Sequence, residues 1–280
     1  MRYLFAFKYI LVCGLLFISD DITASNKIAL DTIKIQKVDS GFNKNVSIFT
    51  SKDKSWIFLN FGAAYCVNYS DIALKYPDFN SFPIALEYQH QGKWVGSLDY
   101  NIYFGNDVRT TGFFNNISNE NGDIIDMNGH PAVIRARLRG FSSRAYISHN
   151  FYPYQKFTKK QLALQIGIGG GYSQTYIDYQ VDQGTIPQIE GDNLSGYDKL
   201  AGGYQIAERI RIQYFNFNAI SCVLGFDFIQ GVAHSLRPWD FGNNKADNSA
   251  INEITTGVHF GLIIPIRVDQ KLRDQEYFMD

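Results

Sequence analysis

WVGSLDYNIYFG, residues Trp94–Gly105, changes character at every step. Trp94, Gly96, Leu98, Tyr100, Ile102 and Phe104 form one set; Val95, Ser97, Asp99, Asn101, Tyr103 and Gly105 form the other. Successive side chains of a strand point to opposite faces, so this is a strand with one oily face and one wet face. Two kinds of fold use such a strand in opposite senses. A soluble sandwich packs the oily face on its core, whereas a membrane barrel turns it to lipid and lines the interior with the polar face. The rest of the chain decides between them.

The same alternation recurs in eight runs: Trp56–Tyr69, Phe82–His90, Trp94–Gly105, Arg139–Tyr152, Gln161–Tyr179, Gly203–Phe215, Asn218–Gly231 and Glu253–Val268. The connections between them sort by length. Ser70–Ser81, Asn106–Leu138, Gln180–Gly202 and Val232–Asn252 are long, while Gln91–Lys93, Tyr154–Lys160 and Asn216–Phe217 are short, and the two kinds alternate. A sandwich has no reason to sort its loops this way. The pattern predicts an all-β fold, an up-and-down antiparallel transmembrane β-barrel of about eight strands, with long extracellular loops and short periplasmic turns. Aromatics gather near the strand ends as two girdles. Trp56, Trp94, Phe151, Tyr152, Tyr154 and Tyr214 lie at the short-turn end; Tyr65, Tyr69, Phe104, Tyr172, Tyr176, Tyr204 and Phe228 lie towards the long loops.

Composition agrees with this reading. The 45% hydrophobic share excludes a disordered chain, and the net charge of −1 leaves no basic stripe for nucleic acid. Aromatic residues, at 15%, are plentiful enough for girdles at both interfaces. Arg2 and Lys8 followed by the apolar run Tyr9–Ile18, with Ile22-Thr23-Ala24 before Ser25, read as a signal peptide over residues 1–24. Residues 25–54 follow as a polar periplasmic segment, 55–268 as the barrel, and 269–280 as a periplasmic tail. The expected location is the outer membrane of a Gram-negative bacterium. Cys66 falls on the polar parity and Cys222 on the oily one, so they face opposite ways and cannot be bridged.

Charged residues on the polar parity predict a network inside the barrel: Glu87, Asp99, Arg144, Arg209, Arg211, Asp227, His259 and Arg267. Eight strands enclose a narrow interior, where opposite charges must pair to offset desolvation. Glu208 breaks the pattern by sitting on the oily parity, which a bulge or a place near the rim would excuse. Other chemistry-like stretches have plain readings. Gly167–Gly171 lacks the GxGxxG spacing and reads as inward glycines that make room for Arg or Tyr. Asn119–Asp123 fails the calcium-loop pattern at both ends and reads as a solvated turn. Ser148-His149-Asn150 looks catalytic, but Ser148 and His149 are neighbours on opposite faces and cannot hydrogen-bond directly. No cofactor and no metal site is expected.

GYDKLAGGYQIAERIRIQY (Gly196–Tyr214), FDFIQGVAHSLRPWDF (Phe226–Phe241) and GLIIPIR (Gly261–Arg267), with EYF near the end, resemble the small outer-membrane barrels of Bacteroidota. The resemblance spans Trp56–Phe278 and extends to the PorG-type barrel associated with type IX secretion and gliding. It implies a non-enzymatic barrel, in contact with outer-membrane lipid, that attaches a periplasmic or secretion-apparatus protein. On that reading the tail supplies the contact through Lys271, Arg273, Tyr277 and Phe278, although the tail departs from the usual ending of such barrels in an aromatic on the final strand. A small passive pore and a lipid A-modifying barrel enzyme are the alternatives.

Overall fold

The structure, a computed structural model, describes residues 55–268 except 72, 74, 75, 77, 91, 92, 107, 110, 111, 154–159 and 217–219, with the backbone alone at 160, 161, 192, 267 and 268. The expected signal peptide, the N-terminal segment 25–54 and the tail 269–280 lie outside the described residues. Ten strands follow in chain order: β1 (Ser55–Tyr69), β2 (Phe79–His90), β3 (Trp94–Gly105), β4 (Val133–Phe151), β5 (Lys160–Gln183), β6 (Ala201–Asn216), β7 (Ser221–Ser235), β8 (Trp239–Asp240), β9 (Lys245–Ala246) and β10 (Ala250–Val268). β8 and β9 form a small hairpin in the last loop; the other eight close one antiparallel barrel in which each strand pairs with its sequence neighbours and β1 pairs with β10.

The register fixes the barrel's shape. Partners lead from Leu59 through Leu86, Leu98, Ala145, Gly170, Ile206, Gln230 and Ile254 back to β1 at Tyr69, ten residues above the start. A stagger of ten over eight strands tilts the strands by roughly 40° and leaves an interior just wide enough to fill with side chains. Glycines permit the filling. A Cβ on Gly169 would fall 2.4 Å from the Tyr146 ring, one on Gly171 2.8 Å from Arg144 Cγ, and one on Gly225 1.9 Å from the His259 ring.

The outer surface answers the question raised by WVGSLDYNIYFG. On β3, Leu98, Tyr100, Ile102 and Phe104 face outward and stay exposed, while Val95, Ser97, Asp99, Asn101 and Tyr103 are buried inside. Ile147, Ile206, Leu224 and Phe260 are exposed in the same way on other strands, at 66%, 60%, 51% and 57%. A ring of apolar surface this continuous cannot rest in water. It is the lipid-facing band of a membrane-spanning barrel.

Two details of the sequence reading are corrected. Several strands run further towards the long loops than the oily parity indicated: β4 starts at Val133, β5 continues to Gln183, β6 starts at Ala201 and β7 reaches Ser235. The reason is a change of phase at the membrane boundary. Above it, β4 turns Arg135, Arg137 and Arg139 outward and Ala136 and Leu138 inward, and β5 buries Ile177 while Asp178 and Asp182 face out. The outside has met water and the inside has become a core, so polarity inverts while the pleat continues. The second correction concerns the lower girdle. Trp56 is 4% exposed and packs inside with Phe58, Ala163, Phe215, Val223 and Ile263, and Tyr152 packs against that cluster.

Candidate functional site

The interior is stacked in layers. At the short-turn end, the cluster around Trp56 and Phe58 forms an apolar floor, with the Phe58 and Phe215 rings 5.2 Å apart. At the other end the inward residues of β4 and β5 meet the loops. Phe113, Phe114, Ile186, Ile189 and Tyr197 close over Leu138 and Ile177 as an apolar lid. Tyr197 joins it by ring contacts to Phe114 and Phe241, while its hydroxyl accepts a hydrogen bond from Asn116 Nδ2. The lid is pinned by two ion pairs, Arg237 with Asp198 and Lys199 with Asp240. Burial alone would raise the Asp240 carboxyl, but the bonds from Lys199 and Asn243 hold it below the usual carboxylate range.

Between floor and lid lies the polar middle. Arg209 Nη2 donates to Asp99 Oδ2 at 2.5 Å, and its Nε stands 3.4 Å from Asp227 Oδ1. Arg211 Nη1 donates to Glu87 Oε1 at 2.6 Å and its Nη2 to Asp99 Oδ2 at 3.1 Å. The Arg209 guanidinium also lies 3.3 Å from the centre of the Tyr146 ring, a cation–π contact inside the barrel. Gln213 Nε2 donates to Glu87 Oε2 at 3.3 Å. These groups come from β2, β3, β4, β6 and β7, so the network ties opposite walls together. Arg209, Arg211, Glu87 and Asp99 are buried and Asp227 is half-buried, and two arginines against these three carboxylates form the mutual pairing that makes such burial tolerable.

Of the residues that sequence placed inside, Glu87, Asp99, Arg209, Arg211 and Asp227 come together in this cluster, and His259 borders it with Nδ1 3.7 Å from Asp227 Oδ2. Arg144 is buried nearby, but its Nε and Nη1 lack hydrogen-bond partners. It lines a cavity of about 20 Å³, room for one water, shared with Glu253 and Ser173. Arg267 pairs through its backbone with Trp56 at the floor; its side chain is outside the described residues. Lys271, Arg273, Tyr277 and Phe278 are also outside them. Glu253 went unnoticed in the sequence. It accepts from Gln205 Nε2 at 2.8 Å and Ser173 Oγ at 3.4 Å, above Arg144. Its parity, shared with His259, was the available signal.

Ser148 points into the barrel, whereas His149 faces outward between Trp94 and Phe151, with ring centroids 5.0 and 4.6 Å away. The two side chains are on opposite sides of the sheet. Asn119 Oδ1 accepts from the backbone N–H groups of Asn121 and Asp123, which makes that stretch a self-satisfied turn. Among the described residues no group of three or more His, Cys, Asp or Glu is arranged to hold a metal.

Fold and interior together define a closed, side-chain-filled, eight-stranded membrane barrel. No known protein family matches the sequence. No curated protein matches it. Solved structures that it resembles include Neisserial surface protein A (TM-score 0.43, 12% identity, 74% of this chain and 96% of that one). Others are outer membrane protein OprG from Pseudomonas aeruginosa (0.42, 12%, 78% and 99%) and Ail, the attachment invasion locus protein of Yersinia pestis, in complex with the heparin analogue sucrose octasulfate (0.37, 10%, 75% and 99%). The strand count comes from this chain's own pairing and not from these likenesses.

Proposed function

We propose that this barrel is a non-enzymatic anchor in the outer membrane of a Gram-negative bacterium, holding a periplasmic or secretion-apparatus protein of the type IX kind that the sequence resemblance implies. The supporting observation is the closure of the barrel. β1 pairs with β10 so that Ser55 stands opposite Val268. The polar segment before β1 and the segment after β10 therefore leave the barrel from adjacent points, at the end with the short turns. Two segments attached side by side offer a partner one composite landing site, and Lys271, Arg273, Tyr277 and Phe278 are its candidate contacts.

The passive-pore reading has less support, because an apolar floor, a salt-bridged middle and an apolar lid fill the lumen in series. The test is recovery of partners from envelopes in mild detergent, comparing the intact chain with one lacking Asp269–Asp280. Periplasmic or secretion-apparatus proteins recovered only with the intact chain place the contact on the tail. Recovery with both keeps the anchor and moves the contact to residues 25–54 or the turns. Specific recovery with neither refutes anchoring.

A further inference from the structure

Glu208, which stood against the oily parity in the sequence, is neither in a bulge nor at a rim. The β5–β6–β7 register runs unbroken through it, opposite Ile168 on one side and Phe228 on the other. Its parity on β6 is that of Tyr204, Ile206, Ile210, Ile212 and Tyr214, all directed at lipid. Tyr204 and Tyr214 mark the two girdles on this strand. At roughly 2.4 Å of axial rise per residue in a tilted strand, Glu208 lies about 10 Å from one and about 14 Å from the other. A glutamate side chain is too short to bring its head to either interface. Glu208 also has no hydrogen-bond or ion-pair partner among the described residues.

An ionisable group on the lipid face at mid-depth is rare, and where it occurs it is paired or functional. The surface beside Glu208 is shaped for close approach. Gly170 on β5 and Ala145 on β4 are small outward neighbours in register, and a Cβ on Gly170 would meet only the Gln205 carbonyl at 3.2 Å. Gln230 on β7, opposite Ile206, adds a second polar group to the same face.

We infer that the lipid-facing surface of β5–β7 around Glu208 is a lateral docking site for a second, different membrane-embedded polypeptide that presents a lysine or arginine at mid-depth. Charge complementarity selects that occupant. The described outer face of a second copy of this chain offers no such cation. Between the girdles, among the described residues, Glu208 is the one Asp, Glu, Lys or Arg on the outer face, and the outward cations Arg135, Arg137 and Arg139 lie on the loop side of β4, where Arg139 stands opposite the girdle residue Tyr176. The inference is independent of periplasmic anchoring, because it concerns a different surface and a partner within the bilayer.

The test places a photo-crosslinking amino acid at Ile206, beside Glu208, or at Leu86 on β2 across the barrel, in the full chain in native membranes. Heat-modifiable gel migration confirms that each variant has folded. The expected result is an adduct with another polypeptide from position 206 and not from 86. The adducted peptide carries a lysine or arginine within a membrane segment, and Glu208→Gln lowers the yield at least tenfold. Equal adducts from both faces, an adduct of two copies of this chain, no adduct, or a yield unchanged by Glu208→Gln each overturn it. A second measurement uses purified protein in phospholipid vesicles, without any partner. There Glu208→Leu should raise the denaturant midpoint, because the uncovered carboxyl then faces lipid; a lowered midpoint would make Glu208 a support of the barrel itself and overturn the inference.

Discussion

Replacing Asp99 by Asn tests whether the interior network holds the barrel together. Asp99 is 1% exposed and its Oδ2 accepts from both Arg209 and Arg211. Removing one partner from a buried ionic group costs about 3–5 kcal/mol. In Asp99→Asn each arginine keeps one carboxylate, Asp227 for Arg209 and Glu87 for Arg211, so the loss should fall near the lower end, about 3 kcal/mol. Arg209→Met is harsher. It strands Asp227 with only His259 at 3.7 Å and removes the cation from the Tyr146 ring, so about 5 kcal/mol is expected. The double variant should cost less than the sum, because both changes break the same contact. The assay is equilibrium unfolding by denaturant in detergent micelles, followed by tryptophan fluorescence and heat-modifiable migration. A loss below about 1 kcal/mol for Asp99→Asn, or strict additivity in the double variant, would refute the view that these charges act as one stabilising network.

Four further outcomes are expected. Purified protein in planar bilayers should show no conductance steps, and Trp56→Ala with Phe58→Ala should stay closed, since the arginine layer lies above the floor; steady channels in the parent would restore the pore. Tyr197→Ala removes ring contacts to Phe114 and Phe241 and should loosen the lid, seen as faster proteolysis in residues 106–132 and 236–249 with barrel migration unchanged. The lid should also loosen in acid. The Asp240 carboxyl is depressed in the folded state, so its contribution is complete above its unfolded value near ~3.9 and fades as pH falls through the lower folded value. Proteolysis of the last loop should therefore accelerate only below about pH 4, and Lys199→Met should flatten that dependence. Gly169→Ala should block folding, because its Cβ would lie 2.4 Å from both the Ala145 carbonyl and the Tyr146 ring; normal folding would refute close packing there.

Much of the barrel was legible because a lipid-facing strand has a binary code. WVGSLDYNIYFG reads correctly from end to end, since every outward residue meets lipid and every inward one meets the packed interior. The code loses meaning where the surroundings change. Val133–Leu138 continues the pleat of β4 with inverted polarity, because its outer face is in water and its inner face supports the lid. Trp56 misled for a related reason: an aromatic at a strand end suits a girdle or a plug equally well, and only its parity separated the two. Parity also assigned the acids and arginines to the inside. It could not give pairs such as Arg211 with Glu87, because shear decides which distant strands face each other across the lumen. The lid was beyond sequence altogether. Phe113 comes from the β3–β4 loop and Ile186 and Tyr197 from the β5–β6 loop, with no period to announce that they meet.

The pairing of β1 with β10 has a consequence for biogenesis. The two strands that seal the cylinder are the first and last of the barrel to emerge during synthesis, and they share partners along the whole of Ser55–Tyr69. Until β10 arrives, β1 and β7 each present a raw hydrogen-bonding edge that lipid cannot satisfy and that neighbouring chains can capture. Insertion is therefore an all-or-nothing event for this polypeptide. A ribosome stalled before Ala250 leaves a species fit only for chaperones and proteases, so the final strand serves the cell as proof that the whole barrel has been delivered.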